Sequence, residues 1–145
     1  LNAAASCTVV LTYSPSATGI QSDVLDIDYN NGVSVQSASR SVQGTGAAPA
    51  TLTLSDGPTY DYGTLAQGAS ADKTFTLSNT GGVPATSIAG GGLASPFSFK
   101  GGAYPGTGGT CAATLNAGAG CTIVVTYSPA SVGASSDTID ITYID

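Results

Sequence analysis

The sequence predicts an all-β fold, an antiparallel β-sandwich. Three observations predict it. Apolar and polar residues alternate in short runs, turn residues punctuate those runs, and no stretch carries a helical period. A period of two sends alternate side chains to opposite faces, so each run can bury one face and wet the other.

Taken in order, Thr8–Tyr13 reads as a strand rich in β-branched residues. In Val24–Tyr29, Leu25, Ile27 and Tyr29 point one way while Asp26 and Asp28 point the other. The turn formers Asn30-Asn31-Gly32 follow, and Val33–Val42 reads as the next strand. Thr51–Leu54 and Thr59–Tyr62 are strand candidates on either side of Asp56-Gly57-Pro58. In Lys73–Ser78, Phe75 and Leu77 oppose Thr74 and Thr76, and Asn79-Thr80-Gly81-Gly82 ends the run. Phe97–Phe99 and Cys121–Tyr127 come next, the latter closed by Ser128-Pro129. In Thr138–Tyr143, Ile139, Ile141 and Tyr143 oppose Thr138, Asp140 and Thr142.

The chain repeats itself. Cys7 and Cys121 stand 114 positions apart, and that offset aligns residues 1–31 with 115–145. Seventeen of the 31 aligned positions are identical. A unit of this length is close to the roughly 100 residues of an immunoglobulin-like sandwich of about seven strands. Residues 47–145 are therefore expected to form one module, and residues 1–46 the closing part of a preceding one. No counterpart of Gly32–Gly46 follows Asp145. The expectation is a sandwich without its last strand, with an open sheet edge near Thr138, Ile139, Ile141 and Tyr143 and a slot in its core. Residues 1–46 hold the expected donor strand.

Composition narrows the partners. Charged residues make up 8% of the chain, and His, Met, Trp and Glu are absent. The net charge is −6, with Arg40, Lys73 and Lys100 the scattered cations. Nucleic-acid binding needs clustered Lys and Arg, so it is not expected. The same shortage argues against anionic membranes, and the short apolar runs fall well below the roughly 20 residues that span a bilayer.

Cys111 and Cys121 flank the short loop CAATLNAGAGC and are expected to pair. Two free buried thiols are the alternative. Cys7 takes the repeat position of Cys121, and its own partner would precede Leu1. It is left unpaired, or pairs between molecules. This usage favours an oxidising, extracellular compartment. Three dispersed Cys without His do not make a zinc site.

The residues also carry a family resemblance. Tyr62-Gly63-Thr64-Leu65, then Lys73 through Gly81 (KTFTLSNTG), then Phe97-Ser98-Phe99 come first. Cys111, Leu115, Gly118, Cys121 through Pro129 (CTIVVTYSP) and Gly133 complete the pattern. Together they resemble the immunoglobulin-like repeat of "choice-of-anchor D" bacterial surface proteins, related to the abnormal-spindle/hydin (ASH) class. The resemblance implies a sandwich of seven or eight strands, in tandem arrays on secreted or surface-anchored proteins. It carries over no catalytic residue. The Gly-rich insert Gly101–Thr110 and the permuted boundaries depart from the pattern.

Candidate chemistry is thin. Asp23, Asp26 and Asp28 suggest a calcium site, but the second copy has Thr142 where the first has Asp28, and a solvated strand face is the better reading. No pair of carboxylates is marked for glycoside hydrolysis, and no Ser sits in a nucleophile elbow or has a His base. Lys73 and Asn79 lie about 20 Å apart along one strand, too far for an isopeptide bond. The loops Gly90–Ser95 and Gly101–Gly109 read as flexible ends of the sandwich. Tyr104 is the residue there that, exposed, could stack on a sugar.

The expectation is a non-enzymatic structural module of an extracellular or cell-surface bacterial fibre or stalk, without cofactor or metal. It joins copies of itself or adjacent repeats head-to-tail, by tandem repetition or β-strand complementation. The alternative is an adhesin recognising surface glycans.

Overall fold

The computed structural model describes residues 1–145. It is all-β, with nine strands paired only in antiparallel fashion. No helix is long and apolar enough to cross a membrane. The chain divides into two compact units, Leu1–Ala47 and Ala48–Asp145.

The first unit is a two-stranded ribbon of β1 (Gly19–Asn30) and β2 (Val35–Gly46), paired from Gly19↔Gly46 to Asn30↔Val35. Its turn follows from side-chain chemistry. The Asn30 Oδ1 accepts from the Gly32 amide at 2.8 Å, and the Asn31 Oδ1 accepts from Val33 and Ser34 at 2.9 Å. Gly32 takes the left-handed conformation (φ 95°) that the bend requires. The expected strand Thr8–Tyr13 is not one; residues 5–15 are without regular structure. No neighbouring strand is present in this unit to take up its amides and carbonyls, and alternation alone does not make a ladder. The Tyr13 ring instead lies over Gly44, where any Cβ would meet it at 2.6 Å.

The second unit holds seven strands: β3 (Leu52–Leu54), β4 (Ala71–Asn79), β5 (Ala85–Gly91), β6 (Phe97–Phe99), β7 (Thr114–Leu115), β8 (Gly120–Tyr127) and β9 (Asp140–Ile144). They form two sheets, ordered β3-β4-β8-β6 and β7-β5-β9. The sandwich-like core lies between the sheets. Phe75 and Leu77 of β4 pair across the ladder with Ile123 and Cys121 of β8, and meet Ala85, Ile88 and Leu115 from the second sheet. Leu77, Ile123 and Val125 are fully buried, each contributing about 1.5–3 kcal/mol relative to exposure.

One polar side chain sits in that core, and it is satisfied at every position. The Asn79 Oδ1 accepts from the amides of Thr51 (3.2 Å) and Gly81 (3.0 Å), while its Nδ2 donates to the carbonyls of Val83 (2.9 Å) and Leu115 (3.1 Å). Asn79 thus ties the start of β3, the β4–β5 turn and β7 together. Such a buried amide stabilises only because all four bonds are made.

Two segments differ from expectation. Thr59–Tyr62 forms no ladder; Tyr60 and Tyr62 meet edge to face at 5.1 Å between ring centres. The Gly101–Thr110 insert is laid along the edge of β8. The Lys100 amide donates to the Val124 carbonyl (3.0 Å), Val124 donates to Pro105 (2.8 Å), and Thr110 donates to Thr122 (2.9 Å). Gly106 is needed there, since a Cβ would lie 2.2 Å from the Val124 carbonyl oxygen. The insert covers an edge that would otherwise be open to pairing.

Candidate interaction site at the edge of β9

Strand β9 ends the three-stranded sheet. Its inner side pairs with β5, from Thr86↔Ile144 to Gly91↔Asp140, and its outer side has no partner. The strand is held in place by Tyr143, whose Oη donates to the Ala50 carbonyl at 3.4 Å, and by Ile139 and Ile141 packed against the core.

An open cleft of about 1060 Å³ adjoins the residues leading into β9. Its apolar lining includes Leu54, Phe75, Leu93, Phe97, Tyr127 and Ile139. Aromatic contacts hold it in shape. Phe97 stacks on Tyr127 at 4.7 Å, and Tyr62 lies 5.4 Å from Tyr127. The Tyr62 Oη donates to the Val125 carbonyl at 3.1 Å. Its pKa is pushed up to about 12, chiefly by burial and further by Tyr60 and Asp72, so it stays a neutral donor.

The cleft is edged by three carboxylates. Asp56 bonds to Ser55 (2.6 Å) and pairs with Lys73 (2.9 Å), which together hold its pKa below the usual carboxylate value. The Lys73 Nζ also sits 4.4 Å from the Tyr60 ring centre. Asp61 accepts from the Gly63 amide at 2.7 Å. Asp137 accepts from the amides of Ala94 (2.7 Å) and Thr138 (2.9 Å), which lower its pKa. Held ionised, Asp56 and Asp137 are poorly matched to proton transfer near neutral pH. The site offers unpaired main-chain groups beside a trough of mixed lining with one aromatic wall; an added strand uses such main-chain groups and side-chain pockets.

The residues singled out in the sequence fall as follows. Cys111 and Cys121 are disulfide-bonded, with Cα atoms 4.9 Å apart, and Cys7 is free and exposed. Thr138 and Ile139 line the cleft, while Ile141 and Tyr143 lie within β9. Tyr104 is not the exposed platform expected of it. Its ring is half-buried, packed edge-on against Phe99 at 5.6 Å and directly over Gly90, and its hydroxyl is buried without a partner. Asp26 and Asp28 share one face of β1 and Asp23 takes the other, and no group of three or more His, Cys, Asp or Glu comes together to hold a metal.

Sequence reasoning missed Tyr62, Phe97 and Tyr127 as one aromatic wall. The available signal was Tyr60 and Tyr62 alternating in a stretch bounded by Gly57-Pro58 and Gly63. Comparison with family models, curated proteins and solved structures finds no match for this chain.

Proposed function

We propose that this chain is a structural module of a secreted or cell-surface bacterial fibre or stalk, joined head-to-tail to its like by tandem repetition or β-strand complementation. The observation that carries this reading is the unpaired outer edge of β9 next to a cleft with an aromatic wall and a polar rim. A strand edge of this kind is a template for pairing with another chain. Contacts between two different surfaces of the same molecule extend into filaments wherever the rotation between successive copies does not close a ring. The Cys111–Cys121 bond fits an oxidising compartment, and the resemblance to bacterial surface repeats points the same way. The alternative glycan-binding reading has lost its exposed aromatic, because the Tyr104 ring is turned into the fold.

The test is the assembly state of the purified chain, by light scattering across a concentration series and by electron microscopy. Head-to-tail oligomers or filaments that lengthen with concentration are the expected outcome. A chain that stays monomeric throughout overturns self-assembly.

A further inference from the structure

The sequence repeat gives the β9 edge an internal reference, because the ribbon unit contains the same residues with a strand already seated on them. In that unit β2 pairs along the whole of β1 and passes under Tyr13, Pro15 and Ala17. The approach is close. A Cβ on Gly44 would lie 2.6 Å from the Tyr13 ring, and one on Gly46 would lie 2.0 Å from the Ala17 carbonyl oxygen. The repeat places Tyr127, Pro129 and Ser131 at the positions of Tyr13, Pro15 and Ala17, and Ser135, Ser136 and Asp137 at those of Gln21, Ser22 and Asp23. All six of these second-copy residues line the open cleft. The groups that clasp β2 in one copy therefore surround an open trough in the other.

We infer that the cleft and the outer edge of β9 are the seat for the β2 strand of a second copy of this chain, running antiparallel to Gly133–Ile144. This rests on the reading of the protein as a self-assembling module and names the segment that joins it. The β1–β2 register, carried across the repeat, sets Ala38 opposite Ile141 and Ser37 opposite Thr142. It places Gly44 and Gly46 beneath Tyr127 and the Pro129–Ser131 segment, the counterparts of the groups that crowd these glycines in the first copy. It also sets Arg40, the one charge in β2, opposite Ile139 in a cleft edged by Asp61 and Asp137. Release of β2 from its own unit is easy, since an isolated two-stranded ribbon is only marginally stable in water. In the new seat the strand gains a three-stranded sheet and an apolar wall.

The experiment mixes two populations of the full chain, both carrying Cys7→Ser. One carries Thr142→Cys and the other Ser37→Cys, and a mild oxidant is added. A disulfide needs Cα atoms within about 7 Å, so the mixed crosslink is expected to form on the order of tenfold faster than with Ser41→Cys as donor. Ser41 would sit about 13 Å further along the strand. Adding Gly46→Val to the donor chain removes the matched crosslink, while circular dichroism confirms that its second unit stays folded. Equal crosslinking at Ser37 and Ser41, or no effect of Gly46→Val, overturns the seat. Filaments without the matched crosslink also overturn it and leave the fibre reading standing. A matched crosslink in discrete pairs that never lengthen supports the seat and defeats the fibre reading.

Discussion

The stretch Cys7–Asn31 and the stretch Cys121–Asp145 read almost alike, yet they fold differently. In the second, Gly120–Tyr127 is the central strand β8, flanked by β4 and β6. In the first, Cys7–Tyr13 forms no strand. The reverse holds a few residues later. Gly19–Asn30 is strand throughout in the first copy, where β2 lies along it, whereas its counterpart Gly133–Ile144 is strand only from Asp140. Val132, at the head of the irregular part, is 90% exposed. The same residues become strand wherever a partner is at hand. A strand here is a property of a pair, because an unpaired main chain gains nothing from extension that water does not also supply.

The sharpest way to break that comparison is to remove the same side chain from each copy. Tyr127→Ala empties a site stacked on Phe97 and should cost about 3–4 kcal/mol, as large aromatic truncations in cores do. Tyr13→Ala removes a ring that is 48% exposed and should cost well under about 1 kcal/mol, as surface changes do. Chemical denaturation followed by circular dichroism measures both, and equal costs would mean that the two copies are held by equivalent packing.

A smaller contrast separates the equivalent cysteines. Cys121→Ser breaks a bond spanning 10 residues and should lower stability by about 2–3 kcal/mol, whereas Cys7→Ser touches no disulfide and should leave the denaturation midpoint unchanged. A shift with Cys7→Ser would show that the first copy hides a pairing of its own.

The smallest effect is electrostatic. Asp137 reaches across to the Ala94 amide, whereas its counterpart Asp23 bonds only to the adjacent Val24 amide. Because the folded-state pKa of Asp137 is lowered, its contribution is present above the ordinary carboxylate value and is lost as the pH falls through the lowered one. Asp137→Asn should flatten the acid limb of the stability–pH curve slightly between about pH 5 and pH 2. A steeper acid limb in Asp137→Asn would reverse the sign of this assignment.

Much of the architecture was legible from alternation, because alternation records which face of a strand is buried. β1, β4, β6, β8 and β9 all stand out that way. β5 did not, since ATSIAGG has little alternation to show, and its Gly90 is required by the Tyr104 ring above it. β7 is two residues long, too short for any pattern. Thr8–Tyr13 and Thr59–Tyr62 carried the pattern without the ladder, because the sequence shows a face and not the neighbour that completes it. The repeat directs attention to Thr138–Tyr143, but the cleft beside that stretch was not legible, since its wall is drawn from stretches as far apart as Tyr62, Phe97 and Tyr127.

The ion pairs have a consequence for proteolysis. Trypsin cuts after Arg and Lys, and the chain offers three such residues. Lys73, within β4, is engaged with Asp56, and Lys100, just after β6, with Asp72 at 2.7 Å, both in the folded second unit. Arg40 stands exposed in the middle of β2, on a ribbon with a single partner. Cleavage of the native chain should therefore begin at one bond, and the rate at that bond is a direct gauge of how firmly β2 is held, in whichever sheet it lies.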